Sequence, residues 1–344
     1  MDRQPFLSIV TPTLGRFSAD WLEQLLQVRG SVEFVLVYPP HEKIQPPDDP
    51  RLRVLYSAYR GEFMQRVTGL LNARGQYVLA LDDDDFVHPD VVEIAEAYFH
   101  RFSESWVLRL NQLPVDIFDA ISLKRPWQPL PKVQQLEICR KTPENPFPFQ
   151  QGNYQGLLEV PIAPLEKKVD WRYLLMPWIK RTDGEGYHFE NFNNIIWSTE
   201  RVKPALAKLV QSSQLISALT LVPNWTLDRS LGLYLQAQEF EKETIIGHWM
   251  PKPEQIRRTT KPPELRPLRT HIASDFLLLK SFPQYGYFWN IVIHESYGML
   301  KTIARSLKRQ HLFSQAYTSQ ILDKSQASVG ESYANPLSGR SDRV

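Results

Sequence analysis

Residues 77–90 read YVLALDDDDFVHPD: five residues suited to a buried strand run straight into four aspartates, with a proline close behind. In an extended chain alternate side chains share a face, so Asp82 and Asp84 are expected to point one way and Asp83 and Asp85 the other. Carboxylates two residues apart, about 6.6 Å, repel by roughly 2.5 kcal/mol at an effective dielectric of 20 and by well under 1 kcal/mol in bulk water. A solvated acidic turn tolerates that repulsion. A cleft tolerates it only with a cation among the carboxylates. Oxygen ligands with no cysteine nearby suit a hard ion, Mg²⁺ or Mn²⁺, which itself favours phosphate as a co-ligand.

Working outward, apolar runs recur at 7–11 (LSIVT), 34–38 (FVLVY), 52–56 (LRVLY) and 77–81 (YVLAL). Helical patterns lie between them. SADWLEQLLQVRG offers Ser18 as N-cap, Leu22, Leu25 and Leu26 as an apolar face, and Gly30 as a stop. GEFMQRVTGLLNARG turns Met64, Val67, Leu70 and Leu71 inward and exits at Gly75. A third helix is expected from Pro89, placed in its first turn, with Val91, Val92, Ala95, Tyr98, Phe99 and Phe102 against the sheet. Strands that are apolar throughout and separated by helices predict an α/β fold, a mostly parallel sheet with helices on both faces. Such sheets receive ligands at the carboxyl ends of their strands, where the aspartates stand.

Beyond residue 115 the pattern breaks, and eight of the 27 prolines fall between Pro126 and Pro164, which predicts loops and short extended pieces. Order returns with NNIIWST (193–199), ERVKPALAKLVQSSQLISAL and LDRSLGLYLQAQEF. The expected layout is a first half at 1–125, a second half at 126–250, a C-terminal extension at 251–323 and a disordered tail at 324–344. A net charge of only +2 gives no general affinity for nucleic acid. The single cysteine, Cys139, excludes an internal disulfide framework and a cysteine-ligated zinc site. With neither a signal-like start nor an 18-residue apolar run, a cytoplasmic location is expected. Peripheral membrane contact stays open, because Met299, Leu300, Ile303 and Leu307 can line one face of a helix at 297–313 among Lys301, Arg305, Lys308 and Arg309.

Three pieces, SIVTPTLGR, QRVTGLLNARGQYVLAL and DDDDFVHP, stand in the order and spacing that make residues 5–90 resemble the nucleotide-sugar half of a family 2 glycosyltransferase with the GT-A fold. The resemblance implies metal-dependent transfer of a sugar from a nucleotide-diphosphate donor to an acceptor hydroxyl, with inversion, on a saccharide or lipid-linked acceptor. Through its Asp-x-Asp motif it places Asp84 on the metal, Asp82 against the ribose or donor sugar, and Asp85 behind that shell. Arg66 would face the pyrophosphate, and Thr11, Pro12 and Thr13 would border the nucleotide. It makes 1–125 the nucleotide-sugar-binding, or donor, half and 126–250 the acceptor-binding half, and it implies a catalytic base at the start of a helix in the acceptor half. Asp228 in VPNWTLDRSLGLYLQA has that position, with Trp225 as a sugar wall and Glu185 and Glu190 as rivals. The helix dipole there would favour the ionised base.

The pattern departs from the family at YPPHE (38–42), where a base-reading aspartate is usual. Tyr38 either stacks on a base or simply packs. Val67 replaces the usual asparagine beside Arg66, and Leu227 the usual glutamate before Asp228. A catalytically inactive scaffold that binds a sugar or a partner is therefore the alternative. His248, His271 and His294 are candidates for a late metal ligand, and His88 for a cap. TDGEGYHFEN (182–191) suits a loop closing over sugar or any exposed turn. One glycine in TPTLGR, where a dinucleotide fingerprint needs three, argues against a dehydrogenase. An aspartate-nucleophile phosphohydrolase would carry its acids after the first strand.

Overall fold

The computed structural model describes residues 4–42, 47–140, 142, 154–176, 178–181, 191–211, 226–242, 244–261 and 272–299. The chain runs β1 (Leu7–Pro12), α1 (Ala19–Leu26), β2 (Val32–Tyr38), β3 (Leu52–Tyr56), α2 (Glu62–Asn72) and β4 (Tyr77–Ala80). β5 (Phe86–Val87), α3 (Val91–Arg101), β6 (Val107–Arg109), β7 (Gln112–Asp116), α4 (Ala120–Lys124), β8 (Ile138–Cys139) and β9 (Leu157–Pro161) follow. The rest comprises α5 (Arg172–Leu175), β10 (Ile195–Ser198), α6 (Thr199–Gln211), α7 (Thr226–Gln238), β11 (Ile245–Trp249), β12 (Ile256–Thr260) and α8 (Ile272–Ser281). A further helical stretch occupies 286–299.

Each expected apolar run is a strand, and every residue of β1 and β2 is buried. Side-chain alternation splits them between two cores. Leu7, Ile9, Phe34 and Leu36 pack with Trp21 and Leu25 of α1 and with the α3 face centred on Ala95 and Tyr98. Val10, Val35 and Val37 point the other way, against Phe63, Val67 and Leu70 of α2 and Val202 and Leu206 of α6. Helices therefore cover both faces, as expected. Ser18 caps α1 by accepting from the Trp21 N–H.

β3, β2, β1 and β4 lie side by side and parallel. β10 runs antiparallel between β4 and β6, and β11 is again parallel to β6. β9 and β8 complete this nine-stranded sheet. The carboxyl ends of β1, β4, β6 and β11 and the amino end of β10 thus open on one edge. β1 stands where the chain reverses its winding, since β2 and β3 go to one side of it and β4 to the other. That switch point is where an open α/β sheet leaves a crevice.

Two expectations change. Pro89 lies in the turn before α3, not in its first helical turn; the His88 carbonyl accepts from Val91 and Asp90 is the N-cap. The segment from 251, expected as an extension, returns to the donor half: β12 pairs with β5 directly after the aspartates and with β7. Residues Met1–His294 form one compact unit that takes in both expected halves, and Glu295–Val344 form another. Of the helix expected at 297–313 only 297–299 are described, and the expected tail at 324–344 lies outside the described residues. Among the described residues no helix is long and apolar enough to cross a membrane.

Candidate active site

The strand leading to the aspartates stops at Ala80, because the Asp85 N–H turns back to the Asp82 carbonyl at 3.1 Å. The run is a turn, so side chains no longer alternate. Asp83, expected to point away, bends over the end of β1 and accepts from Thr13 Oγ1 at 2.6 Å. Asp82, Asp83 and Asp84 are half-buried and, with Asp85, line a cleft of about 1570 Å³ at the shared sheet edge. Pro12, Thr13, Arg66 and Asp228 line it too.

Asp85 is the buried member of the four. Its Oδ2 accepts from Asn194 Nδ2 and its Oδ1 from the Thr259 N–H, both at 2.8 Å, while its carbonyl accepts from Trp21 Nε1. Through its carboxylate and its carbonyl, this one residue thus ties the turn to β10, β12 and α1. Asn194 has φ 58°, a left-handed conformation that asparagine tolerates better than most residues. This kink at the amino end of β10 brings Asn193 and Asn194 over the acidic turn.

Arg66 sits inside the site, fully buried, on α2. Its guanidinium holds Glu62 Oε1 at 2.9 Å, Asn193 Oδ1 at 2.7 Å and Asp82 Oδ1. Burial disfavours its charge, but the carboxylates of Asp82 and Glu62 outweigh that and make the proton harder to remove. Arg66 and Asp82 therefore form one unit rather than two independent contacts.

Asp228 stands in the first turn of α7 and faces the same cleft. Its Oδ1 accepts from the N–H groups of Phe192 and Asn193 at 2.6 and 2.5 Å. Burial pushes its carboxyl above the usual aspartate range, while those N–H groups and Arg66 pull the other way. The neighbouring Arg229 lies 3.5 Å from Asp275.

Burial also raises Asp83, Asp84 and Asp85, and the charge of Asp82 adds to each shift. Around Asp84, Thr259 and Lys261 oppose the rise. The cleft lining carries seven acidic side chains and seven basic ones, among them Arg16, Arg60, Arg109, Arg258 and Lys261. It is therefore no acid hole that would repel an anion. Among the described residues no three His, Cys, Asp or Glu side chains converge to hold a metal unaided. The turn offers a partial set of carboxylate oxygens, which fits a hard ion that takes its remaining ligands from a diphosphate and water.

Other expected positions lie elsewhere. Thr11 is fully buried and does not line the cleft. Tyr38 is buried beneath Gly15, with ring carbon Cε1 3.2 Å from where a β-carbon there would sit, so it packs rather than offering a face to a base. His248 bonds Tyr98 Oη at 2.8 Å inside the fold, and His88 accepts from the Asp90 N–H as a cap. His294 stacks edge-on near Tyr173. No described histidine lines the cleft. His271, Trp225, Glu185 and Glu190 lie outside the described residues, as does all of 182–191 except Asn191.

Arg109, Thr259 and Lys261 escape a local reading of the sequence. Arg109 ends β6 and is buried beside the cleft; burial lowers its pKa strongly, opposed by Asp228. The available signal was a charged residue closing the apolar run WVLR.

Residues 38–109 match the family model described as Glycosyl transferase family 2. This part of the chain is similar to family 2 glycosyltransferases. It runs from the last residue of β2 to the last of β6 and includes Arg66 and the whole acidic turn, so the family resemblance holds there. No curated protein matches the sequence. Among solved structures, S. aureus TarS 1–349 with UDP-GlcNAc is similar at 12% identity and TM-score 0.47, over 81% of this chain and 67% of that one. TarS 1–349 with UDP gives 14% and 0.42, over 80% and 70%. A longer S. aureus TarS chain gives 13% and 0.43, over 81% of this chain, which spans 43% of that one.

Proposed function

We propose that the protein transfers a sugar from a nucleotide-diphosphate donor to an acceptor hydroxyl on a saccharide or lipid-linked acceptor, with inversion. One observation carries the reading: the acidic turn, Arg66 and Asp228 share a single cleft at the switch point of a family 2 segment. Pro12 and Thr13 border the nucleotide, with Thr11 shaping that wall from beneath. Arg66 fixes Asp82, whose second oxygen is left for the ribose or donor sugar. Asp84 is the metal ligand, and Asp85 holds the turn in place. A bound Mg²⁺ or Mn²⁺ would neutralise charge building on the leaving diphosphate.

Asp228 takes the proton from the acceptor hydroxyl as its oxygen attacks the anomeric carbon opposite the diphosphate. The Phe192 and Asn193 N–H groups keep that carboxylate aimed, and they and Arg66 favour its charged form against burial. The test is a panel of nucleotide sugars, UDP-GlcNAc among them, assayed for transfer and hydrolysis with Mn²⁺ or Mg²⁺ and again with EDTA. Turnover of a donor only with the ion present is the expected result. Binding of sugars without turnover of any donor would replace this reading with the inactive scaffold.

A further inference from the structure

Residues 171–178 break the usual rule for large apolar side chains. Trp171, Leu174, Leu175, Met176 and Trp178 are 61, 61, 73, 45 and 72% exposed. Single exposed apolar residues are ordinary, but a contiguous group marks a surface that meets something. This group is held outward by its frame. Tyr173 is buried and anchors the segment, and the Asp170 N–H donates to Asn290 Oδ1 at 2.7 Å while Asn290 Nδ2 donates to the Lys168 carbonyl at 3.1 Å. Within the segment Leu174 and Leu175 donate to the Trp171 carbonyl and Met176 to that of Arg172. These bonds hold the backbone and leave the side chains presented.

Charge selects the partner. Residues 165–181 carry Lys167, Lys168, Arg172, Lys180 and Arg181 against Glu166 and Asp170, a net +3 in a chain whose total is +2. Arg172 is paired with Asp170, and Glu166 lies 3.7 Å from Lys242. Lys167, Lys168 and Lys180 stay exposed beside the tryptophans. Indole rings and leucines flanked by lysines suit the boundary of an anionic bilayer, where the rings enter the headgroup layer and the ammonium groups meet phosphates.

We infer that residues 165–181 form an interfacial surface that docks the protein on anionic lipid. This inference stands apart from the transfer reading, since lipid binding can be measured without any donor. Full-length protein is floated with vesicles of phosphatidylcholine alone and of phosphatidylcholine with phosphatidylglycerol, at low and high salt. Binding to the anionic vesicles, weakened by salt, is expected. Leu175→Glu with Trp178→Glu should lower vesicle affinity about tenfold or more, because two inserted side chains are lost, with the unfolding midpoint unchanged. Lys167→Glu with Lys168→Glu should lower anionic binding and leave the weak neutral binding alone. Absence of anionic binding by the native protein, or equal binding by the Leu175/Trp178 variant, overturns the inference. So does a concentration-dependent dimer that the same variant abolishes, which would assign the surface to a second copy.

Discussion

Asp228 and Asp83 show how one side chain's surroundings set what its replacement should do. In Asp228→Asn the amide oxygen can still accept from Phe192 and Asn193, so the local fold should persist while the proton acceptor is gone. Transfer at saturating donor should fall by about 10²–10⁴, with nucleotide affinity nearly unchanged. A loss under tenfold, or an equal loss of donor binding, moves the role to Glu185 or Glu190. Asp84→Asn should abolish the enhancement that Mn²⁺ gives to nucleoside diphosphate binding, measured by calorimetry with and without EDTA. Strand alternation alone would make Asp83→Asn nearly silent. The turn reverses that expectation, because Asp83 faces the cleft and bonds Thr13. Asparagine can still accept from Thr13, but the bond loses its charge assistance, about 1 kcal/mol, so donor KM should rise roughly fivefold. A donor KM within twofold of the native value would show that Asp83 takes no part.

At the scale of elements, α2 carries Arg66 and Glu62 to the cleft only because it lies unusually close to the sheet. A β-carbon on Gly69 would stand 2.3 Å from Val10 Cγ1 and 2.8 Å from Val37 Cγ2. Gly69→Ala should therefore push the helix outward, costing about 1–3 kcal/mol and pulling Arg66 from Asp82. Denaturant unfolding should show the loss, and donor affinity should fall with it; unchanged stability would mean that β1 and β2 yield instead. The glycine of TGLLNARG thus has a packing reason that the sequence alone does not reveal. What the sequence did make legible is local. Four apolar runs, three amphipathic helices and the acidic turn lie within the first hundred residues, and each is set by neighbours a few positions away. The places of β10 and β12 in the sheets were not assignable, because their partners stand far earlier in the chain and pairing, not propensity, sets them there. The site residues they deliver, Asn193, Asn194, Thr259 and Lys261, were hidden for the same reason. Asp228's place at a helix start was legible because a helix start is a local signal.

Over the whole molecule, groups shifted by burial act on the pH dependence of stability with opposite signs. Burial raises Asp84 and Asp85, so the fold binds those protons more tightly than the unfolded chain does. Their contribution favours the fold at low pH and is lost as pH climbs from the ordinary aspartate value through the raised one. His248 works the other way. Burial, with the charges of Arg101 and Arg140, lowers it from 6.5 to about 4, so below pH 6.5 the unfolded chain takes up a proton that the fold refuses. Its stabilising contribution is complete above pH 6.5 and drains away as pH falls towards 4, by at most roughly 3 kcal/mol. His248→Asn can keep an acceptor near Nδ1 for Tyr98 and has nothing to titrate. Urea unfolding at steps from pH 4 to 7 should show the variant's stability rising with pH less steeply than the native protein's, because the His248 contribution is gone while His88, also lowered by burial, still titrates. Parallel curves for the two proteins would mean that His248 is protonated inside the fold, and the acid sensitivity would have to come from another group.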